Sequence, residues 1–197
     1  MTRADAEITL AAYRRHPVLI RDLPTVSNPW GLTFLRAFDM ANDSYRFRDQ
    51  PSLNDAESDG WAYQDGATTY LPLYEAKMLW HFDHRLSSYA LRAPGSQDTE
   101  LPRLSDRMHD DPTEEAGPRY WVDQRAVDKR LGDRWDRNWL LGWRDIARGD
   151  DLRTMAPCVL PRAATADALL LALPLDPEHG YLLHATWSSL ACDYLSR

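Results

Sequence analysis

Cysteine and glycine are scarce in this sequence, and no long apolar run occurs in it. The two cysteines, Cys158 and Cys192, sit apart in apolar contexts, so neither a disulfide framework nor a zinc ligand set follows. Buried free thiols, as in a reducing cytosol, are the expectation, and the expected location is cytoplasmic. Nine scattered glycines form no phosphate-cradling loop. A G-x-S-x-G nucleophile turn, an H-E-x-x-H helix and a nuclease-like acid pair with Glu-x-Lys are also missing, so no catalytic motif is expected in this chain. Met1-Thr2-Arg3-Ala4-Asp5 has no apolar signal-peptide core, and the longest apolar run, around Ala168–Leu173, is far too short to span a bilayer. Excess positive charge is lacking as well. A net charge of −7 taken alone argues against a nucleic-acid partner, because phosphate neutralisation dominates such affinity.

That charge is unevenly spread. Residues 95–118 hold two arginines against seven acids, whereas residues 119–162 hold ten Lys/Arg against seven acids. An acidic mean can therefore conceal a basic face. Within it, Arg144, Arg148, Arg153 and Arg162 lie close together along the chain beside Trp143. The planar arginine fork matches phosphates and guanine edges, so these five residues are candidate DNA contacts. On a strand, Arg144, Ile146 and Arg148 share one face, opposite Trp143 and Asp145. Arg137 is a further candidate, although its neighbour Arg134 lies between Asp133 and Asp136 and is as suited to local ion pairing.

At 197 residues, with eight tryptophans and nine tyrosines, the chain can build a sizeable core in one domain. Thirteen prolines fit a loop-rich α+β fold with a small mixed or antiparallel sheet and flanking helices. Residues 4–16 read as a short amphipathic helix ended by Pro17. Strands are expected at Val18–Ile20, Trp30–Phe38, Tyr70–Tyr74, Tyr120–Val122, Trp139–Ala147 and Leu169–Leu173, with Thr154–Leu160 antiparallel to Trp139–Ala147 across a Gly149-Asp150-Asp151 turn. Asn42-Asp43-Ser44 caps a short helix through Phe47, and Asp123 caps another over Gln124–Leu131. Helices are also expected over Glu75–Leu86, with Met78, Leu79, Phe82 and Leu86 near one face, and over Tyr181–Leu195. Residues 49–68 read as a polar loop pinned by Trp61 and Tyr63, and residues 90–118 as a long acidic loop.

On the expected Glu75–Leu86 helix, His81 and His84 lie three apart on one face. They could ligate a metal with Asp83, or sit as polar groups on a half-exposed surface touching DNA. Lys77 and Arg85, two turns apart, could contact neighbouring phosphates or remain solvated charge.

Several segments together resemble a known family. They are Asn28-Pro29-Trp30-Gly31, Phe38-Asp39-Met40-Ala41-Asn42-Asp43-Ser44, Tyr70-Leu71-Pro72-Leu73-Tyr74-Glu75-Ala76-Lys77-Met78, Phe82-Asp83-His84-Arg85, Pro118-Arg119-Tyr120-Trp121-Val122, Trp139 through Arg148, Arg153-Thr154-Met155 and Pro161-Arg162. Over residues 5–195 the chain is similar to the region following the catalytic domain in large bacterial DNA adenine methyltransferases of type IIG restriction–modification and DISARM-like phage-defence systems. The resemblance implies a target-recognition module that reads duplex DNA beside a methylase domain. That domain would bind S-adenosylmethionine and carry an Asn-Pro-Pro-Tyr-type motif for the flipped adenine. Neither the motif nor the cofactor loop is present here, so the resemblance implies no enzyme activity and no cofactor in this chain. Ala76 stands where the family usually has glycine, and the family continues beyond the final helix. The expectation is a piece of a larger system: an excised segment, a split gene product or a degenerate remnant. Two readings from other classes stand beside it. One is a protein-docking module of a defence complex, and the other a small metal-dependent nuclease using His81, Asp83 and His84.

Overall fold

Alternating inward and outward apolar residues define a four-stranded antiparallel sheet at the centre of the molecule. In the computed structural model, which describes every residue except Met1, Gln97, Thr99, Gly149, Asp150 and Arg197, its strands are β1 (Thr33–Leu35), β7 (Trp139–Arg144), β8 (Pro157–Pro161) and β10 (Leu169–Leu173). They lie in the order β1-β10-β7-β8. Trp139 pairs with Pro161 and Trp143 with Pro157, so β7 and β8 are antiparallel as their sequences suggest. Gly149 and Asp150 of the expected connecting turn lie outside the described residues.

Successive residues of β7 and β10 serve different cores, because strand side chains alternate between faces. Leu140, Leu169 and Leu171 enter the larger core, while Leu141 and Ala172 enter a second one with Leu32, Leu183 and Trp187. The second core is roofed by α4 (Glu178–Trp187). Gly180 allows that helix to approach closely, since a Cβ there would lie 2.8 Å from Cη2 of Trp139.

The second sheet covers the other face. Its strands β2 (Phe47–Arg48), β3 (Glu57–Ser58), β4 (Tyr63–Asp65), β5 (Thr68–Tyr74) and β6 (Trp121–Asp123) run in the order β2-β6-β5-β4-β3, and β9 (Ala164–Thr165) pairs in parallel with the end of β5. Helix α3 (Gln124–Leu131) follows β6 directly, and the Asp123 side chain accepts the Arg125 N–H as its cap. Val127 and Leu131 of α3 are buried with Leu73, Tyr74 and Trp135. The fold is α+β, with helices flanking two sheets.

Several expected elements take other forms. Val18–Ile20 form no strand, and the nearest ladder contact is a single bridge from Arg21 to Ser27. The Trp30–Phe38 strand shortens to β1, because the Asn28 side-chain amide pairs with both backbone groups of Leu32, at 2.8 and 2.9 Å. The polar stretch 49–68 contains the β3–β4 hairpin, with Trp61 packed on Tyr74 and Tyr63 on Trp121. The C-terminal helix is two helices: Ser189 accepts the Cys192 N–H and starts α5 (Leu190–Leu195) afresh. Helix α1 (Arg3–Arg15) begins on a Thr2/Asp5 capping box and buries none of its residues.

Asp193 on α5 is 5% exposed and accepts the Thr154 and Met155 N–H groups at 2.6 and 3.1 Å. It fixes the chain entering β8. Asp193→Ala is expected to cost about 2 kcal/mol, because two buried donors lose a charged acceptor. Asp193→Asn, which keeps one carbonyl oxygen, should recover part of that. The shift in urea midpoint at constant m-value checks both.

A candidate nucleic-acid interface

The largest departure from expectation is residues 75–86. After β5 the chain makes one 3-10 turn, Ala76–Met78, and then straightens at Leu79 (φ −124°, ψ 160°). Met78 and Leu79 are both fully buried, and the extended backbone of Leu79 ends any helical continuation. A tight turn follows: Trp80 N–H donates to Asp83 O at 2.7 Å, and Asp83 N–H to Trp80 O at 3.1 Å. The Asp83 carboxylate then accepts the Arg85 N–H at 2.8 Å, a local alternative to helical bonding. His81 and His84 therefore share no helical face. Among the described residues no three of His, Cys, Asp and Glu form a metal-binding group.

Phe82, expected on the buried side of a helix, stands at the corner of this turn with φ 64° and 64% of its surface exposed. Glycine or asparagine ordinarily takes such a corner. A left-handed backbone costs a residue with a side chain about 1–2 kcal/mol.

A cleft of about 490 Å³ opens where the ends of β5 and β7 and the loop before β10 converge. Lys77, Arg144, Ile146 and Arg148 line it, joined by Arg103 from the acidic loop. The expected grouping of Arg144, Ile146 and Arg148 is thus present, although β7 ends at Arg144. Glu75, Glu100, Asp151 and Asp167 place four carboxylates among these four cations. Lys77 sits 3.2 Å from Glu75 and 4.9 Å from the centre of the Tyr89 ring. The Arg144 guanidinium lies 4.9 Å from the centre of the Trp80 ring, and among the described residues its Nε has no hydrogen-bond partner. Burial pulls its pKa below the usual guanidinium value, Asp151 opposes this and Arg148 adds to it. Arg148 is exposed, and its backbone N–H is held by Asp151 at 2.8 Å.

The remaining candidates lie elsewhere. Trp143 packs between Phe34 and Trp187, with ring centres 5.3 and 5.1 Å away, as a core side chain. Arg85 donates to three backbone carbonyls, those of His109, Asp111 and Glu114. Arg162 donates to Asp128 and to the carbonyls of Trp135 and Arg137. Arg137 and Arg162 stand by the Trp139 end of β7, opposite Arg144 and about 17 Å of strand away. Arg153 is half-buried and close enough to His81 to depress its basicity.

His81, His84 and His184 are all held below the usual 6.5, in each case chiefly by burial. Arg153 adds to this at His81, Arg85 at His84, and His81 at His184. A base whose folded pKa is depressed leaves the unfolded chain holding more protons. Stability is therefore expected to fall as pH drops through about 6.5 towards the lower folded values, before the carboxylates titrate. Urea midpoints at pH 8 and 5.5 should differ in that direction, and His84→Gln should flatten the difference; an unchanged slope in that variant would refute the assignment.

Trp80, Phe82 and Arg103 are absent from the sequence-derived candidates. Arg103 enters the cleft from the most acidic stretch of the chain, so no local charge signal marks it. No helix among the described residues is long and apolar enough to cross a membrane. No protein family, curated protein or solved structure matches the chain.

Proposed function

We propose that this chain is a non-catalytic DNA-recognition module of a cytoplasmic restriction–modification or phage-defence adenine methyltransferase. It would hold duplex DNA for a methylase domain that binds S-adenosylmethionine and is not in this chain. The observation that carries the reading is the cleft: Lys77, Arg103, Arg144 and Arg148 converge from three separate segments of an acidic protein. Arg144 is pre-positioned on the Trp80 ring. Guanidinium groups so held suit phosphate oxygens, which set register, while readout of bases needs further contacts in the groove. Four neighbouring carboxylates and a net charge of −7 weaken the field, so binding should be modest and strongly salt-dependent.

The test is fluorescence anisotropy with a labelled mixed-sequence duplex at low ionic strength. Wild type should bind, and the double variant Arg144→Ala, Arg148→Ala should bind about 10- to 100-fold more weakly. Its log K against log salt slope should be shallower by about 2. Absence of duplex binding by wild type, alone or with a methylase subunit, refutes the reading.

A docking function is favoured by one observation: α1 has no fully buried residue and exposes Ile8, Leu10 and Tyr13. Retention of a methylase subunit together with unchanged DNA affinity in the double arginine variant would support that reading instead.

A further inference from the structure

The Trp80–Asp83 turn keeps an aromatic ring at a left-handed corner that ordinarily takes glycine or asparagine. The ring of Phe82 touches the neighbouring imidazoles at an angle, with centres 4.2 Å from His81 and 4.9 Å from His184, and stays 64% exposed. Glycine would satisfy the left-handed corner without strain. The corner itself is rigid, closed by two backbone hydrogen bonds and anchored by Phe82 N–H donating to Pro157 O at 3.3 Å. Strain kept in an over-determined turn to project an apolar ring indicates a use for the ring outside the fold. Trp80 of the same turn carries the Arg144 guanidinium, which also lines the cleft. An exposed ring on the same turn as a held cation is an arrangement that stacks on a base while a neighbouring phosphate is neutralised.

We infer that Phe82 stacks on an unpaired or extruded nucleobase of DNA held along the Arg144 cleft. The inference rests on the DNA-binding reading above. A base inside an intact duplex already has both faces covered, so Phe82 should act only where one base has left the stack.

The experiment compares two probes, a fully paired mixed-sequence duplex and the same duplex with a single bulged 2-aminopurine. Wild type should prefer the bulged probe and change its 2-aminopurine emission on binding. Phe82→Gly should remove that change and weaken binding of the bulged probe about 5- to 100-fold, with the paired duplex little affected. Its Tm should stay at or above wild type, since glycine relieves the left-handed corner. Phe82→Tyr should restore both emission change and affinity. If wild type binds neither probe, the DNA reading falls and this inference with it. If wild type binds and Phe82→Gly binds the bulged probe equally well, stacking by Phe82 is overturned while the DNA reading stands.

Discussion

Replacing Arg162 with alanine is expected to destabilise the protein by about 3 kcal/mol, among the largest effects of any single polar substitution in the chain. Its guanidinium joins three elements. Nε and Nη2 donate to Asp128 of α3 at 3.2 and 2.7 Å, and Nη1 donates to the carbonyls of Trp135 and Arg137 at 3.0 and 3.1 Å. Its side chain is 20% exposed and that of Asp128 is 44% exposed, so screening weakens the ion pair itself. Most of the loss comes from the two carbonyls left without a donor at the start of β7. Lysine cannot serve three acceptors from one plane, so Arg162→Lys should recover about 1 kcal/mol at most. For a chain of this size, 3 kcal/mol corresponds to a Tm lower by about 6–12 °C. Differential scanning calorimetry checks it, and a Tm within about 2 °C of wild type would remove Arg162 from the structural account. DNA affinity of the folded variant should be unchanged, because this clamp lies at the far end of β7 from the cleft.

Short continuous apolar runs made the central sheet readable. In Leu140/Leu141 and Leu171/Ala172 each neighbour belongs to a different core, and such strands show as continuous apolar runs. Helix α3 was legible from Asp123, whose cap is local chemistry. The β3–β4 hairpin was not, because strands of two and three residues are too short to show alternation. Residues 75–86 misled for the opposite reason. Met78, Leu79, Phe82 and Leu86 mimic a helical stripe, but Met78 and Leu79 are both drawn into the core and the Asp83 carboxylate offers the backbone another partner. The consequence reached the candidate site: Phe82 was read as buried, and the His81/His84 pairing depended on a helix that is not there. Arg144 and Arg148 were grouped by strand parity, yet β7 ends at Arg144, and it is the loop after it that brings Arg148 to the same cleft. Arg85 and Arg162, candidates of the same chemistry, turn their donors inward, a difference set by tertiary neighbours alone.

Arg85 shows how one such inward arginine governs the outer site. Its Nη1 donates to Asp111 O and Glu114 O at 3.1 and 2.7 Å, and its Nη2 to His109 O at 2.9 Å, holding the acidic loop from a distance of 24 to 29 residues along the chain. The same loop presents His109, whose Nε2 lies 3.2 Å from the Asp83 carboxylate at the base of the Phe82 turn. Releasing the loop should therefore loosen the turn as well. Arg85→Ala is expected to cost about 2–3 kcal/mol, since charge-assisted bonds are lost but the freed carbonyls near the surface can find water. Limited proteolysis should cut between residues 105 and 117 at a concentration of protease that leaves wild type intact. Hydrogen exchange at the amides of Trp80 and Asp83, each bonded across the turn, should accelerate in parallel. Arg85→Lys should behave like alanine in both measurements, because a single ammonium cannot span three carbonyls. Exchange at residues 80–83 that stays at the wild-type rate while the loop is cut would mean that the turn is held by its own backbone bonds and not through the loop.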